Sequence, residues 1–342
     1  MMSTHPARFV DVDHIEDLMT TPSSALIDDL AALDGDLVVL GVSGKMGPTL
    51  ARLAKRAAPG KRVIGVARFS EARVRAHLES HGVECIETDL LDRAAVDRLP
   101  KAANVVFMAG RKFGSAVNQP LTWAMNALVP AYVAEAYAAS RLVVFSTACV
   151  YPFVAINGPG ADENVVPNPP SGEYANSCVA RERVFEYFSQ INGTKGRIIR
   201  LSYAIDMRYG VLHDIARKIL DDMPIDVAMG AVNIIWQGDA NTEALRALRE
   251  GTAPMSALNV SGPMHRVRDL AEGLGRRLGR LPRFSGTEAP DAWVINCSEA
   301  VRLFGPPSIS IETLLDWTAD WVTRGGTSLG KETHFETRDG HY

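Results

Sequence analysis

The sequence predicts a doubly wound α/β fold, a parallel sheet covered by helices on both faces, with a smaller C-terminal lobe behind it. Three observations carry that expectation. Short apolar runs alternate with amphipathic stretches from residue 36 to about residue 203. The first run passes straight into a glycine-rich turn, GVSGKMG. After Ser202 the alternation loosens into helical stretches with only brief strand-like runs. Regular strand–helix alternation builds parallel sheets, because a crossover helix must return the chain to the same edge. At 342 residues the chain also exceeds one typical domain.

Residues 1–34 read as an N-terminal extension, in which Ser23 or Ser24 caps a short helix through Leu33 before a turn at Asp34-Gly35. Runs at 37–42, 62–66, 83–86, 105–109 and 142–146 have the length and unbroken apolarity of buried parallel strands. Between them, 49–57, 71–80, 94–99 and 121–139 carry apolar residues at helical spacing. A helix at 174–191 and a strand at 197–201 complete a dinucleotide-binding domain assigned to residues 35–203. Residues 204–326 are assigned to the smaller, substrate-binding lobe. It has helices at 211–220, 241–249, 267–278 and 311–323 and short strands near Asp226 and Asn259. Residues 327–342 are polar and read as a tail.

Composition excludes several function classes. An apolar fraction of 46% and a charged fraction of 22% describe an ordinary soluble globule. A net charge of -4 with both signs scattered offers no polycationic face for nucleic acid and no basic arm for a membrane. The apolar runs are far too short to span a bilayer, and the acidic N-terminus lacks the apolar core of a signal peptide. Cys85, Cys149, Cys178 and Cys297 lie far apart, and of the eight histidines only His77 and His81 stand at a ligand-like spacing, so neither disulfides nor a metal are expected. A cytoplasmic location follows.

The turn carries the first chemistry. Gly41, Gly44 and Gly47 let the backbone approach a pyrophosphate, with Ser43, Lys45 and Met46 forming the rest of the loop and a helix N-terminus behind it. A strand before and a helix after are the context this Rossmann-type mechanism requires. The second strand ends at Ala67, where an acidic residue would hold the adenosine ribose hydroxyls; Arg68 and Ser70 follow instead. A cation and a hydroxyl suit a 2′-phosphate, so NADP is favoured over NAD. Asp89 and Leu90, closing the third strand, are placed beside the adenine, although a helix cap explains Asp89 equally well.

Three further stretches complete a resemblance. VVFMAGRKFGSAVNQPL begins at Val105, VVFSTACVYP at Val143 with Thr147 four residues before Tyr151, and PPSGEYANSCVARERVFE contains Tyr174 and Glu182. With the turn, these resemble the extended short-chain dehydrogenases/reductases, the family of nucleotide-sugar epimerases and dehydratases, over about residues 36–205. The resemblance implies that Met108, Ala109, Gly110, Lys112, Asn126 and Tyr174 meet the cofactor. It also implies that Tyr174 is the catalytic acid/base, that Thr147 assists it, and that the chain forms a homodimer through the helices at 121–139 and 174–191.

At one position the chain departs from the family. Moving a hydride at a carbinol carbon requires the hydroxyl proton to move too, and a tyrosine near pH 10 is a poor base at neutral pH. The family places a lysine four residues after the tyrosine, on the same helical face, to lower that pKa and hold the nicotinamide ribose. Here that position is Cys178. Losing a depression of two to three units removes on the order of 3–4 kcal/mol. Lys112 is the expected substitute, with Arg181 and Arg183 assigned to other helical faces. Cys178 itself has no neighbouring histidine to make it a nucleophile.

The substrate signal is weaker. Family members that bind nucleotide sugars carry an arginine shortly before an aspartate that opens a late helix; in AVNIIWQGDAN the aspartate is Asp239, but Val232 and Asn233 stand where the arginine is expected. A smaller polar substrate, such as a free sugar or sugar acid, is therefore favoured over a nucleotide sugar. Phe113, Tyr151, Tyr203, Arg208 and Trp236 are its candidate contacts. The leading reading is an NAD(P)-dependent oxidoreductase or epimerase. The alternative from another class is a cofactor-binding protein without efficient catalysis, for which Cys178 is the main support.

Overall fold

The computed structural model describes residues 5–331 and 333–340. Seven strands form one parallel sheet: β1 (Leu37–Leu40), β2 (Val63–Ala67), β3 (Glu84–Glu87), β4 (Asn104–Phe107), β5 (Arg141–Thr147), β6 (Gly196–Leu201) and β7 (Ser256–Val260). They lie in the order β7-β6-β5-β4-β1-β2-β3, with Leu40 opposite both Val66 and Phe107. The doubly wound expectation holds. β1, β2 and β4 are buried along their whole length, which is why they read as unbroken apolar runs, whereas edge strand β3 is half exposed.

Strand order reverses between β1 and β4, and the crevice beyond their carboxyl ends is where such sheets bind ligands. Gly41 makes that crevice possible. Its φ is +87°, and a Cβ there would lie 2.6 Å from the amide nitrogen of Ala109, so the first turn and the loop after β4 are in backbone contact. Gly47 opens the helix Gly47–Ala57, and a Cβ on it would sit 2.1 Å from the carbonyl oxygen of Val42. Leu50, Leu53, Ala54 and Ala57 then bury one face of that helix at i, i+3, i+4, i+7 spacing.

Three features differ from the sequence expectation. β7 falls within the stretch assigned to the small lobe but joins the main sheet beside β6, since Leu258 and Val260 bury themselves against the sheet core. The N-terminal extension contains a second helix, Val12–Met19, capped by the Asp11 side chain on the amide of His14. Ile15 and Met19 from that helix, with Phe9, enter the core of the small lobe, where the ring of Phe9 lies 4.7 Å from that of Trp317. Helices Val211–Leu220, Val267–Leu278 and Ile311–Thr323 supply most of the rest of that core.

The third difference is the polar C-terminal stretch, which folds back over the protein. Phe335 is buried in the small-lobe core. The amide and hydroxyl of Thr333 donate to Asp214 Oδ2 at 2.9 and 2.5 Å, and Arg338 binds the carbonyl oxygen of Asp291 at 2.8 Å. Gly340 presses on Ser171 and Gly172 at the start of the helix Glu173–Asn192. Ion pairs and one aromatic anchor hold this strap, so composition gave it the look of a free tail. Among the described residues no helix is long and apolar enough to cross a membrane.

Candidate active site

A cleft of about 400 Å³ lies over the carboxyl ends of the central strands, between the glycine-rich turn and the small lobe. Gly41, Gly44, Lys45, Met46 and Gly47 form one wall and Met108, Gly110, Lys112 and Phe113 the next. Phe145 and Thr147 at the end of β5 and Cys149 just after it come next, with Tyr174 and Arg181 reaching in from the helix Glu173–Asn192. Tyr203, Tyr209, Trp293 and Lys331 close the small-lobe side.

Tyr174 shares hydrogen bonds with Thr147 and with the Cys178 thiol. Burial raises its pKa well above the ordinary 10; Cys178 and Cys149 push it further up, while the Arg181 charge and the Thr147 hydrogen bond pull it down. Cys178 is fully buried, and burial pushes its thiol up to about 11. A neutral phenol therefore stands beside a neutral thiol, and the local charge comes from elsewhere. Lys112 Nζ lies 5.9 Å from the centre of the Tyr174 ring and 5.6 Å from that of Phe113, and it donates to the carbonyl oxygen of Thr333 in the strap at 3.4 Å. Burial lowers the Lys112 pKa, against the pull of Cys149, Cys178 and Asp214.

Arg181 is the second cation. Its Nη1 donates to the carbonyl oxygen of Phe145 at 2.8 Å and its Nη2 to Asn126 Oδ1 at 2.7 Å. Asn126 sits in a π-helical turn, Ala124–Leu128, an arrangement that concentrates at functional sites. It accepts from the amide of Arg111 at 2.8 Å and donates to Ser177 Oγ at 2.9 Å, so it fixes the loop after β4 against the helix bearing Tyr174.

A family model for the NAD dependent epimerase/dehydratase family matches residues 37–240. The chain belongs to that family. No curated protein sequence matches it. Among solved structures, UDP-glucuronic acid 4-epimerase from Bacillus cereus, in complex with UDP-glucuronic acid and NAD, is similar at 17% identity and a TM-score of 0.71, over 84% of this chain and 99% of that one. UDP-glucose 4-epimerase from Thermotoga maritima, with UDP-glucose, is similar at 18% identity and a TM-score of 0.70, over 85% and 99%. UDP-glucose 4-epimerase from Thermus thermophilus, in complex with NAD, is similar at 21% and a TM-score of 0.68, over 83% and 98%.

The residues present fit the family's dinucleotide. The helix Gly47–Ala57 has no side-chain cap, so the positive end of its dipole is left uncompensated at the turn, although the Gly47 amide itself donates to the carbonyl oxygen of Gly44 at 3.2 Å and Pro48 has no N–H. A Cβ on Gly44 would meet only the carbonyl oxygen of Gly41, at 3.4 Å, leaving that face of the turn open to the cleft. Ser43, Arg68, Ser70 and Asp89 are exposed, and Asp89 also accepts from the amide of Leu91 at 3.0 Å. Leu90 and Ala109 are buried. Lys45 does not point at the pyrophosphate side: its Nζ donates to the carbonyl oxygen of Ala204 at 2.8 Å and lies 4.4 Å from the Tyr209 ring.

Of the candidate substrate contacts, Phe113 and Tyr203 line the cleft. Tyr151 is buried instead, its hydroxyl donating to Asn259 Oδ1 at 2.9 Å and accepting from Arg200 Nη1 at 2.7 Å. Arg208 is paired with Asp206 and Glu16, and Trp236 packs between Phe9 and Trp317. Arg181 does not lie on another face, because seven residues return a helix to within about 20° of its starting direction; the spacing from Tyr174 could have shown this. Trp293, Tyr209 and Lys331 reach the cleft from distant segments and have no local signature.

Proposed function

We propose that the protein is a nicotinamide-dependent epimerase or dehydratase acting on a sugar hydroxyl, with Tyr174 carrying the proton and Thr147 holding the same oxygen. The observation that carries this is the hydrogen-bonded Tyr174–Thr147 pair on the cleft wall, facing the glycine-rich turn. The bound cofactor supplies the hydride acceptor and donor. Tyr174 takes the proton from the substrate hydroxyl on oxidation and returns it on reduction. Lys112 stands beside the phenol and adds positive charge.

A nucleotide sugar is the substrate we favour. The neighbours are described with UDP-glucose and UDP-glucuronic acid. The argument from Val232 and Asn233 loses its force, because both are buried and Asn233 donates to the carbonyl oxygens of Gly262 and Ile295 rather than facing the cleft. Beyond Lys331, a second hollow of about 720 Å³ is lined by His213, Arg217, Lys218 and His334, with Asp214, Asp221 and Glu336. Its cations are already paired, Arg217 with Asp221 at 3.3 Å and Lys218 with Glu336 at 3.1 Å, so a diphosphate there would have to displace these carboxylates. Incubation with UDP-glucose, UDP-galactose and UDP-glucuronic acid, followed by product chromatography, tests the reading. A new isomer or a dehydrated sugar is expected; intact substrates despite cofactor binding would reject it.

Two finer proposals follow. Arg68 and Ser70, exposed beyond β2 with Ala67 in place of an acid, support NADP, although the neighbours are described with NAD. Arg68→Glu is expected to weaken NADPH relative to NADH by about 10-fold in a fluorescence titration, the size of one charge-assisted hydrogen bond. An unchanged ratio would remove Arg68 from the site. The helices Val129–Ala136 and Glu173–Asn192 pack together and leave Leu128, Tyr187 and Ile191 45–57% exposed, which supports a homodimer through this face. Tyr187→Glu with Ile191→Glu is expected to halve the mass seen by light scattering. A dimer that survives both changes contradicts this interface.

A further inference from the structure

We propose that Arg181 takes the place of the lysine that position 178 lacks: its guanidinium is the fixed cation of the Tyr174 site and a contact for the nicotinamide ribose. This rests on the reading of Tyr174 as proton carrier. Tyr174, Cys178 and Arg181 follow one another at i, i+4 and i+7, a single stripe of the helix Glu173–Asn192. Helical side chains lean toward the N-terminus, so a long residue at 181 covers the turn that Cys178 occupies. The small, uncharged thiol leaves that space to the guanidinium.

Three features set Arg181 apart from a structural arginine. It is 5% exposed yet lines the cleft. Among the described residues no carboxylate pairs with it; its guanidinium carbon lies 5.7 Å from the centre of the Phe107 ring, its hydrogen bonds go to the amide-type oxygens of Phe145 and Asn126, and its buried Nε has no hydrogen-bond partner. A buried cation held only by dipoles and one ring face is costly unless further oxygen acceptors complete its shell. The phenol oxygen of Tyr174 during proton transfer, and the hydroxyls of a bound ribose, are such groups. Finally, the loop after β4 is built around it, since a Cβ on Gly110 would lie 2.3 Å from Arg181 Nη2.

Tyr174 is faced by Thr147 and Cys149 after β5, by Lys112 from the loop after β4, and by Cys178 and Arg181 from its own helix. Lys112 is tied to the strap through Thr333, whereas Arg181 is tied to β5 and to Asn126, the two parts that carry Thr147 and the cofactor loop. Lys112 therefore sits toward the substrate end and Arg181 toward the cofactor end. The two cations divide work that one lysine does in the family.

The decisive variants are Arg181→Met, Arg181→Lys and the exchange Cys178→Lys with Arg181→Ala. NADH and NADPH affinity is read by fluorescence, and the pH profile is read with whichever UDP-sugar of the panel turns over. Arg181→Met is expected to weaken cofactor binding about 10- to 100-fold, the loss of a hydrogen bond to a charged group. It should also move the rising limb of the oxidation profile to higher pH. Arg181→Lys should recover part of both, and the exchange variant should recover most of both. A folded Arg181→Met protein with unchanged affinity and profile would overturn the proposal. If Arg181→Met does not fold, Arg181→Lys and the exchange variant decide: folded proteins that have lost cofactor binding or keep a shifted profile overturn it equally. Full turnover in Tyr174→Phe would instead defeat the underlying reading, whatever Arg181 does.

Discussion

Tyr174→Phe is expected to lower turnover about 100- to 10,000-fold while leaving cofactor affinity within a few-fold, the range for removing a positioned acid/base. The reason is local. The ring keeps its packing, but the oxygen that shares hydrogen bonds with Thr147 and Cys178 is gone. Burial holds the Tyr174 pKa above its ordinary value, so at neutral pH the phenol is protonated. Oxidation needs it deprotonated, and its rate should climb with pH, about tenfold per unit while the pH stays below that pKa. Reduction needs the protonated form and should lack this rise. Steady-state rates from mildly acidic to alkaline pH, in both directions, check the sign. A flat oxidation profile in the wild type, or equal rates in Tyr174→Phe, removes Tyr174 from the mechanism.

Glu182→Ala is expected to destabilise the protein by about 3–5 kcal/mol, the cost of leaving a buried charge without its partner. Glu182 is fully buried on the Tyr174 helix. It accepts from Ser146 Oγ at 2.5 Å and pairs with Arg200 at 2.8 Å, and Arg200 in turn donates to the Tyr151 hydroxyl at 2.7 Å. One carboxylate thus ties the helix bearing Tyr174 to β5, at Ser146 next to Thr147, and to β6. Replacing Glu182 and Arg200 together by Met should recover much of the loss, since an apolar pair leaves no unpaired charge behind. Denaturant melts of the single and double variants measure this. A Glu182→Ala protein as stable as the wild type would show that the pair does not hold the helix.

What the sequence made legible, and what it hid, follows from how each part is stabilised. β1, β2 and β4 are covered on both faces, so apart from Asn104 at the start of β4 every residue in them is apolar and they announce themselves. The turn at Gly41–Gly47 is equally plain, because only glycine fits where a Cβ would strike Ala109 or Val42. β7 was placed in the wrong lobe since nothing local says which strand a run will pair with. The strap was hidden because Thr333–Asp214 and Arg338–Asp291 are long-range polar pairs, and only Phe335 betrays burial.

The candidate site divides along the same line. Tyr174, Thr147 and Lys112 came from short motifs and are brought together around one cleft. Tyr151, Arg208 and Trp236 were chosen by residue type alone, and each is satisfied elsewhere, by Asn259 and Arg200, by Asp206 and Glu16, and by Phe9 and Trp317. Arg181 was within reach of helical geometry, at seven residues from Tyr174. The sequence reading sets it on another helical face, whereas a spacing of seven returns it to within about 20° of Tyr174.

Cys178 raises the question of whether this site turns over at all. The direct measurement is a rapid-mixing experiment, in which protein loaded with NAD or NADP is mixed with UDP-glucose, UDP-galactose or UDP-glucuronic acid and the reduced-nicotinamide absorbance is followed. The account predicts a transient rise with at least one of these sugars, absent in Tyr174→Phe. Tight cofactor binding with no absorbance change for any of them would contradict it and mark the protein as a cofactor binder without catalysis.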